Sequence, residues 1–106
     1  MPTIVSHPLQ LTAPGQQLTL NQLVYNQGGS PVVYLQAGIH ADEYPAMAAL
    51  EVLRTRLDAL EAAGQITGEI RLVPIANPGG LQQFVQSHHQ GRYEADSGEN
   101  FNRGYP

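Results

Sequence analysis

Residues 32–46 read VVYLQAGIHADEYPA, and the parsing of this stretch decides the fold. Its first six residues form a β-rich apolar run with little polar interruption, the composition of an interior strand covered on both faces. Gly38 ends the run. Asp42 then offers a cap-type side chain, and Pro45 falls in the first turn of a helix, where a missing N–H costs nothing. Met47, Leu50, Leu53, Leu57 and Leu60 recur at steps of three or four, an amphipathic stripe, with Arg54 and Asp58 four apart on the other face. Gly64 stands where a C′ glycine closes a helix. The turn between strand and helix carries His40 and Glu43. Residues three apart share a helical face, and imidazole and carboxylate both bind Zn2+ at about 2.0–2.2 Å. Taken alone, the pair reads better as a plain helix start in which Glu43 complements the helix dipole.

Working outward, residues 17–25 (QLTLNQLVY) place apolar side chains at a period near two, as in a half-buried strand. Residues 26–31 (NQGGSP) are a turn cluster, so a hairpin into the next strand is expected. Residues 1–15 are punctuated by Pro2, Pro8, Pro14 and Gly15 and should be extended segments and turns. Downstream, residues 68–76 (GEIRLVPIA) read as a second core strand, closed by Asn77-Pro78-Gly79-Gly80. Strand, helix, strand is the βαβ order. A short helix is expected over residues 81–85. From Ser87 onward no period survives and polar residues dominate; a loop this long in a compact domain is functional or disordered.

The 106 residues allow one domain at most. Hydrophobic residues make up 42%, enough for a modest core. The net charge of −4 comes with no basic stripe, so nucleic-acid binding has no electrostatic footprint. There is no cysteine, which removes disulfides and thiolate metal sites. The first ten residues lack the basic and long apolar regions of a secretory signal, and no apolar run approaches the ~20 residues of a membrane span. The expectation is a cytoplasmic protein. The sequence stops at Tyr105-Pro106 without a closing helix or polar tail, as a fragment of a longer chain would.

In open α/β sheets ligands bind beyond the carboxyl ends of the strands. His40 and Glu43 follow one expected strand and Asn77 the next. If the two are parallel neighbours, the loop carrying Arg92, Asn102 and Arg103 leaves from the same edge. Arginine offers a planar fork suited to carboxylates. A metal beside arginines suits acyl-bond hydrolysis in an anionic substrate, with the cation meeting the developing oxyanion.

GIHADE, then IANPGG, Arg92 and GENFNRGYP together resemble the zinc carboxypeptidase superfamily, in particular its succinylglutamate desuccinylase/aspartoacylase branch. The resemblance implies the N-terminal half of a zinc hydrolase domain, a mixed β-sheet flanked by helices. It implies that His40 and Glu43, as H-x-x-E, hold zinc. Arg92 matches the arginine that polarises the scissile carbonyl, and Asn102-Arg103 matches the pair that grips a substrate carboxylate. The substrate class implied is an N-acyl amino acid or a peptide-like molecule. The family's third ligand, a histidine, and its general base, a glutamate, lie downstream of the Asn-Arg pair, so this chain should be catalytically incomplete. His88 and His89 precede that pair and do not match the missing ligand; they read as loop residues, with substrate contact the lesser reading. Asp42 reads as a cap rather than a ligand. Arg92 is balanced between its family role and a solvated loop arginine, whereas Asn102-Arg103 reads better as a carboxylate clamp than as a surface turn. Tyr93 and Tyr105 are candidate pocket-lining residues that nothing singles out. The competing class is a non-catalytic relative that keeps the fold as a small-molecule or protein binding module. The composition leaves oligomeric state open, although an unfinished sheet exposes an edge prone to pairing.

Overall fold

Strands β1 (Thr3–Pro8) and β2 (Thr19–Tyr25) run antiparallel, with Thr3 opposite Val24 and Pro8 opposite Thr19. They belong to a computed structural model that describes residues 1–9, 15, 17–95 and 97–103. The turn expected at Pro14 lies outside the described residues, as does Tyr105. The stretch quoted above becomes β3 (Val32–Gln36) and the 19-residue helix α1 (Tyr44–Ala62), and the chain returns in β4 (Glu69–Val73). β3 and β4 are parallel, β4 and β2 antiparallel, and the sheet order is β1-β2-β4-β3. The architecture is α/β with a mixed sheet.

The sheet order corrects two expectations. Residues 26–31 do not make a β2–β3 hairpin, because β4 lies between those strands. The turn is bonded to the start of β4 instead. The Asn26 side-chain amide donates to the Gly68 carbonyl at 2.8 Å, the Gly28 N–H to Glu69 Oε1 at 3.0 Å, and the Glu69 N–H to the Pro31 carbonyl at 2.9 Å. Arg71 Nε completes the arrangement by donating to Glu69 Oε2 at 2.8 Å. Among the described residues β3, for its part, lies at the edge of the sheet rather than in its interior. Val32 is 53% exposed, Val33 46% and Tyr34 52%. Apolar composition records what a strand is able to bury, whereas the neighbour that would bury it is set by chain connectivity.

The core joins Leu23 and Tyr25 of β2, Leu72 of β4 and Leu57 of α1, with Leu50, Leu53, Ile66 and Ile70 packed around them. Each such aliphatic side chain contributes about 1.5–3 kcal/mol when fully buried. The stripe on α1 therefore faces the sheet as expected, except that Leu60 is 40% exposed beyond its end. Gly64, at φ +69°, follows the Ala63 C-cap. Arg54 and Asp58, four apart on the other face, take different partners. Asp58 Oδ1 accepts the hydroxyl of the fully buried Tyr25 at 2.7 Å, while Arg54 pairs with Glu51 at 3.5 Å. Burial first, and the Asp58 carboxylate second, raise the Tyr25 phenol above its ordinary pKa.

The expected helix over residues 81–85 is replaced by the single turn α2 (Pro78–Leu81), then a hairpin of β5 (Phe84–Val85) and β6 (His88–His89). Gln86 and Ser87 hold positive φ at 50° and 67°, which a two-residue hairpin turn requires. Neither residue type advertises that turn. Among the described residues no helix is long and apolar enough to cross a membrane.

Candidate functional site

The parallel ladder continues past both strands: the Ala37 N–H donates to the Val73 carbonyl at 3.0 Å and the Ala76 N–H to the Ala37 carbonyl at 2.8 Å. This brings the segments after β3 and β4 out at one edge, where the chemistry-bearing side chains collect. Asn77 braces that edge. Its amide nitrogen donates to the Ile39 carbonyl at 3.1 Å, and its Oδ1 accepts the Gly80 N–H at 3.0 Å, capping α2. The turn after β4 thus supports the backbone next to His40.

His40 is buried, 6% exposed, and Glu43 is the N-cap of α1. The expected cap, Asp42, is displaced by one residue; Glu43 makes no side-chain cap bond, and Asp42 Oδ1 is buried without a hydrogen-bond partner. Glu43 turns its carboxylate to the imidazole, with Oε2 at 2.8 Å from His40 Nδ1. The other ring nitrogen, Nε2, lies 2.7 Å from Asn100 Oδ1. Asn100 Oδ1 also accepts the Asn102 N–H at 2.9 Å, which identifies that atom as the oxygen of the amide. The network therefore puts a proton on Nε2 and, in the neutral ring, leaves the Nδ1 lone pair aimed at Glu43. At 2.8 Å, Nδ1 and Oε2 are held together by a proton between them or by a cation beside them. Arg92 places such a cation there: NH1 is 3.0 Å from Glu43 Oε2 and 3.3 Å from His40 Nδ1.

Arg92 is delivered by close backbone contact. The Ala41 N–H donates to the Gly91 carbonyl at 2.8 Å, and the Phe101 N–H to the Arg92 carbonyl at 3.0 Å. A methyl group on Gly91 would stand 2.3 Å from the Asp42 nitrogen and 2.7 Å from the Ala41 carbonyl carbon. Only glycine allows this approach. The hairpin before it is latched to the start of α1: the His89 ring stacks on Tyr44 with centroids 5.5 Å apart, its Nδ1 bonds the Tyr44 hydroxyl, and Phe84 packs at 5.0 Å. His89, read from sequence as a loop residue, is a strand residue that holds the hairpin down.

The structure brings His40, Glu43 and Arg92 into direct contact. Asn102 joins them through its backbone N–H on Asn100. Arg103 stays apart from the three, exposed, with NH1 on the Asn102 carbonyl at 2.6 Å. Tyr93 is 49% exposed and pairs with Asn100 in an isolated bridge. Sequence reasoning missed Asn100; its signal was its place two residues before the Asn102-Arg103 pair. A cleft of about 170 Å³ opens beside Gly38, His40 and Glu43. A larger one, about 320 Å³, lies elsewhere, between β1–β2 and the Glu51–Arg54 side of α1. The site is thus marked by its donors and not by its volume. One nitrogen and one carboxylate donor fit zinc. Among the described residues no group of three or more His, Asp or Glu side chains forms a metal cluster.

These features define an α/β fold with a candidate ligand site beyond the carboxyl ends of parallel strands. The model of the succinylglutamate desuccinylase/aspartoacylase catalytic domain matches residues 30–106. Two crystal structures of succinylglutamate desuccinylase/aspartoacylase-type proteins are similar to the chain. The protein from Shewanella frigidimarina NCIMB 400 is 33% identical with a TM-score of 0.80, and that from Shewanella amazonensis SB2B is 31% identical with a TM-score of 0.83. Each likeness covers 98% of this chain but only 27% and 28% of those proteins. No curated protein matches the chain. The chain belongs to the succinylglutamate desuccinylase/aspartoacylase family.

Proposed function

We propose that this chain is the N-terminal part of a zinc-dependent amide hydrolase acting on an N-acyl amino acid or a peptide-like substrate. The observation that carries the reading is the facing pair, His40 Nδ1 and Glu43 Oε2, 2.8 Å apart and attended by the Arg92 guanidinium. His40 and Glu43 hold zinc, which in such a site activates water and polarises a carbonyl. Asn100 holds the imidazole in the tautomer that leaves Nδ1 free to ligate, as outer partners of metal-bound histidines do. Arg92 meets the charge that develops on the carbonyl oxygen. Asn102 and Arg103 bind the substrate carboxylate, Arg103 through its exposed fork. The chain works in the cytoplasm, with a small molecule as its partner and neither nucleic acid nor membrane.

A second reading, a non-catalytic binding module on the same fold, is favoured by the two-donor count among the described residues. Elemental analysis and an N-acyl amino acid hydrolysis assay separate the readings. On the 106-residue chain we expect weak zinc retention, lost in His40→Ala, and no turnover. Zinc content unchanged in His40→Ala overturns the ligand assignment, and turnover by these residues alone overturns the incompleteness. In a longer gene product, one zinc per chain supports the hydrolase; the absence of any histidine downstream supports the module.

A further inference from the structure

The structure sets Arg92 NH1 3.3 Å from His40 Nδ1 while the same NH1 group holds Glu43 Oε2 at 3.0 Å, so the guanidinium stands at both donor atoms. A nitrogen lone pair that ligates a metal is not also open to an N–H donor. We propose that Arg92 is a competing cation at this donor pair: a divalent metal on His40 Nδ1 and Glu43, and the guanidinium on the same atoms, exclude one another. Metal entry then releases the guanidinium toward solvent, where it becomes available to an incoming anionic substrate. The inference rests on the reading that His40 and Glu43 ligate zinc.

Three observations carry it. The backbone of Arg92 is fixed independently of the contact, by Gly91 on Ala41 and by the Arg92 carbonyl on the Phe101 N–H, so only the side chain needs to move. That side chain is 44% exposed and Glu43 is 56% exposed, so no buried charge is stranded by the exchange. His40, in contrast, is held from behind by Asn100 and stays in place whichever cation is bound. Arg92 thereby keeps the two donors facing each other and couples its own availability to metal loading.

The test is calorimetric titration of Zn2+ into the 106-residue chain, comparing wild type with Arg92→Gln, Arg103→Gln and His40→Ala. An exposed ion pair competes weakly, so Arg92→Gln should tighten zinc by about two- to five-fold. Arg103→Gln removes the same charge from the same loop without touching the pair and should leave the affinity unchanged. Equal or weaker binding by Arg92→Gln overturns the proposal, as does an equal gain in Arg103→Gln. Zinc should also move the Arg92 side-chain 13Cζ resonance of the wild type; an unmoved resonance in zinc-saturated protein overturns it too. If neither wild type nor Arg92→Gln takes up zinc, or His40→Ala binds as wild type does, the underlying zinc reading fails instead.

Discussion

Gly91→Ala is the sharpest probe of how the site is assembled. The added methyl would meet the Asp42 nitrogen at 2.3 Å, the Ala41 carbonyl carbon at 2.7 Å and the Ala41 Cα at 3.1 Å. All three are backbone atoms, so no side-chain rotation relieves the clash, and the loop must lift from the start of α1. Forced overpacking costs about 1–3 kcal/mol. Lifting also breaks the 2.8 Å bond from the Ala41 N–H to the Gly91 carbonyl, at a residue with 0% exposure; such a bond contributes about 0.5–1.5 kcal/mol. Alanine gives back about 0.4–1 kcal/mol by narrowing the unfolded ensemble. A net loss of about 2 kcal/mol follows, worth roughly 8–16 °C in Tm for a domain of this size. Circular dichroism melts measure it, and hydrogen exchange at the Ala41 amide locates it. Gly79→Ala is the control, since its methyl meets nothing closer than Asn77 Oδ1 at 3.7 Å. An unchanged Tm with a still-protected Ala41 amide would refute the claim that the loop is seated by this contact.

Three other outcomes follow from the packing. Tyr25→Phe deletes the buried bond to Asp58 and should cost about 1–2 kcal/mol in a urea melt. Because the phenol is raised above its ordinary value of 10.0, the wild type should lose stability as pH rises past 10.0, and the variant should lack that component; identical alkaline limbs would contradict it. Glu69 is held below its ordinary 4.5, first by the Gly28 N–H and then by Arg71. A lowered carboxyl pKa stabilises above the unfolded value and is lost as pH falls, so urea midpoints should drop below pH 4.5, less steeply in Glu69→Gln; parallel curves would exclude the linkage. Finally, the apolar edge strand β3 should make the 106-residue chain self-associate with rising concentration, and Val33→Lys should suppress this. Light scattering that finds a monomer at every concentration would argue against an available edge.

What could be read along the chain was whatever is decided within a turn or two. The leucine stripe of α1, the glycine after it, the strand character of β2, β3 and β4, and the three-residue spacing of His40 and Glu43 all express local periodicity and backbone preference. The motif order was enough to name the family. The hairpin at Gln86-Ser87 stayed hidden because its positive φ values fall on residues that do not ask for them. The pairing of Asp58 with Tyr25, the insertion of β4 between β2 and β3, and the bond from Asn100 to His40 join residues 33 or more positions apart. Local sequence therefore set the strand and helix character of residues 17–76 and which residues carry donors, but not the hairpin that follows. The tertiary structure decided which strand became an edge and which amide stands behind the imidazole, because those contacts depend on where the chain returns and no local propensity encodes the return.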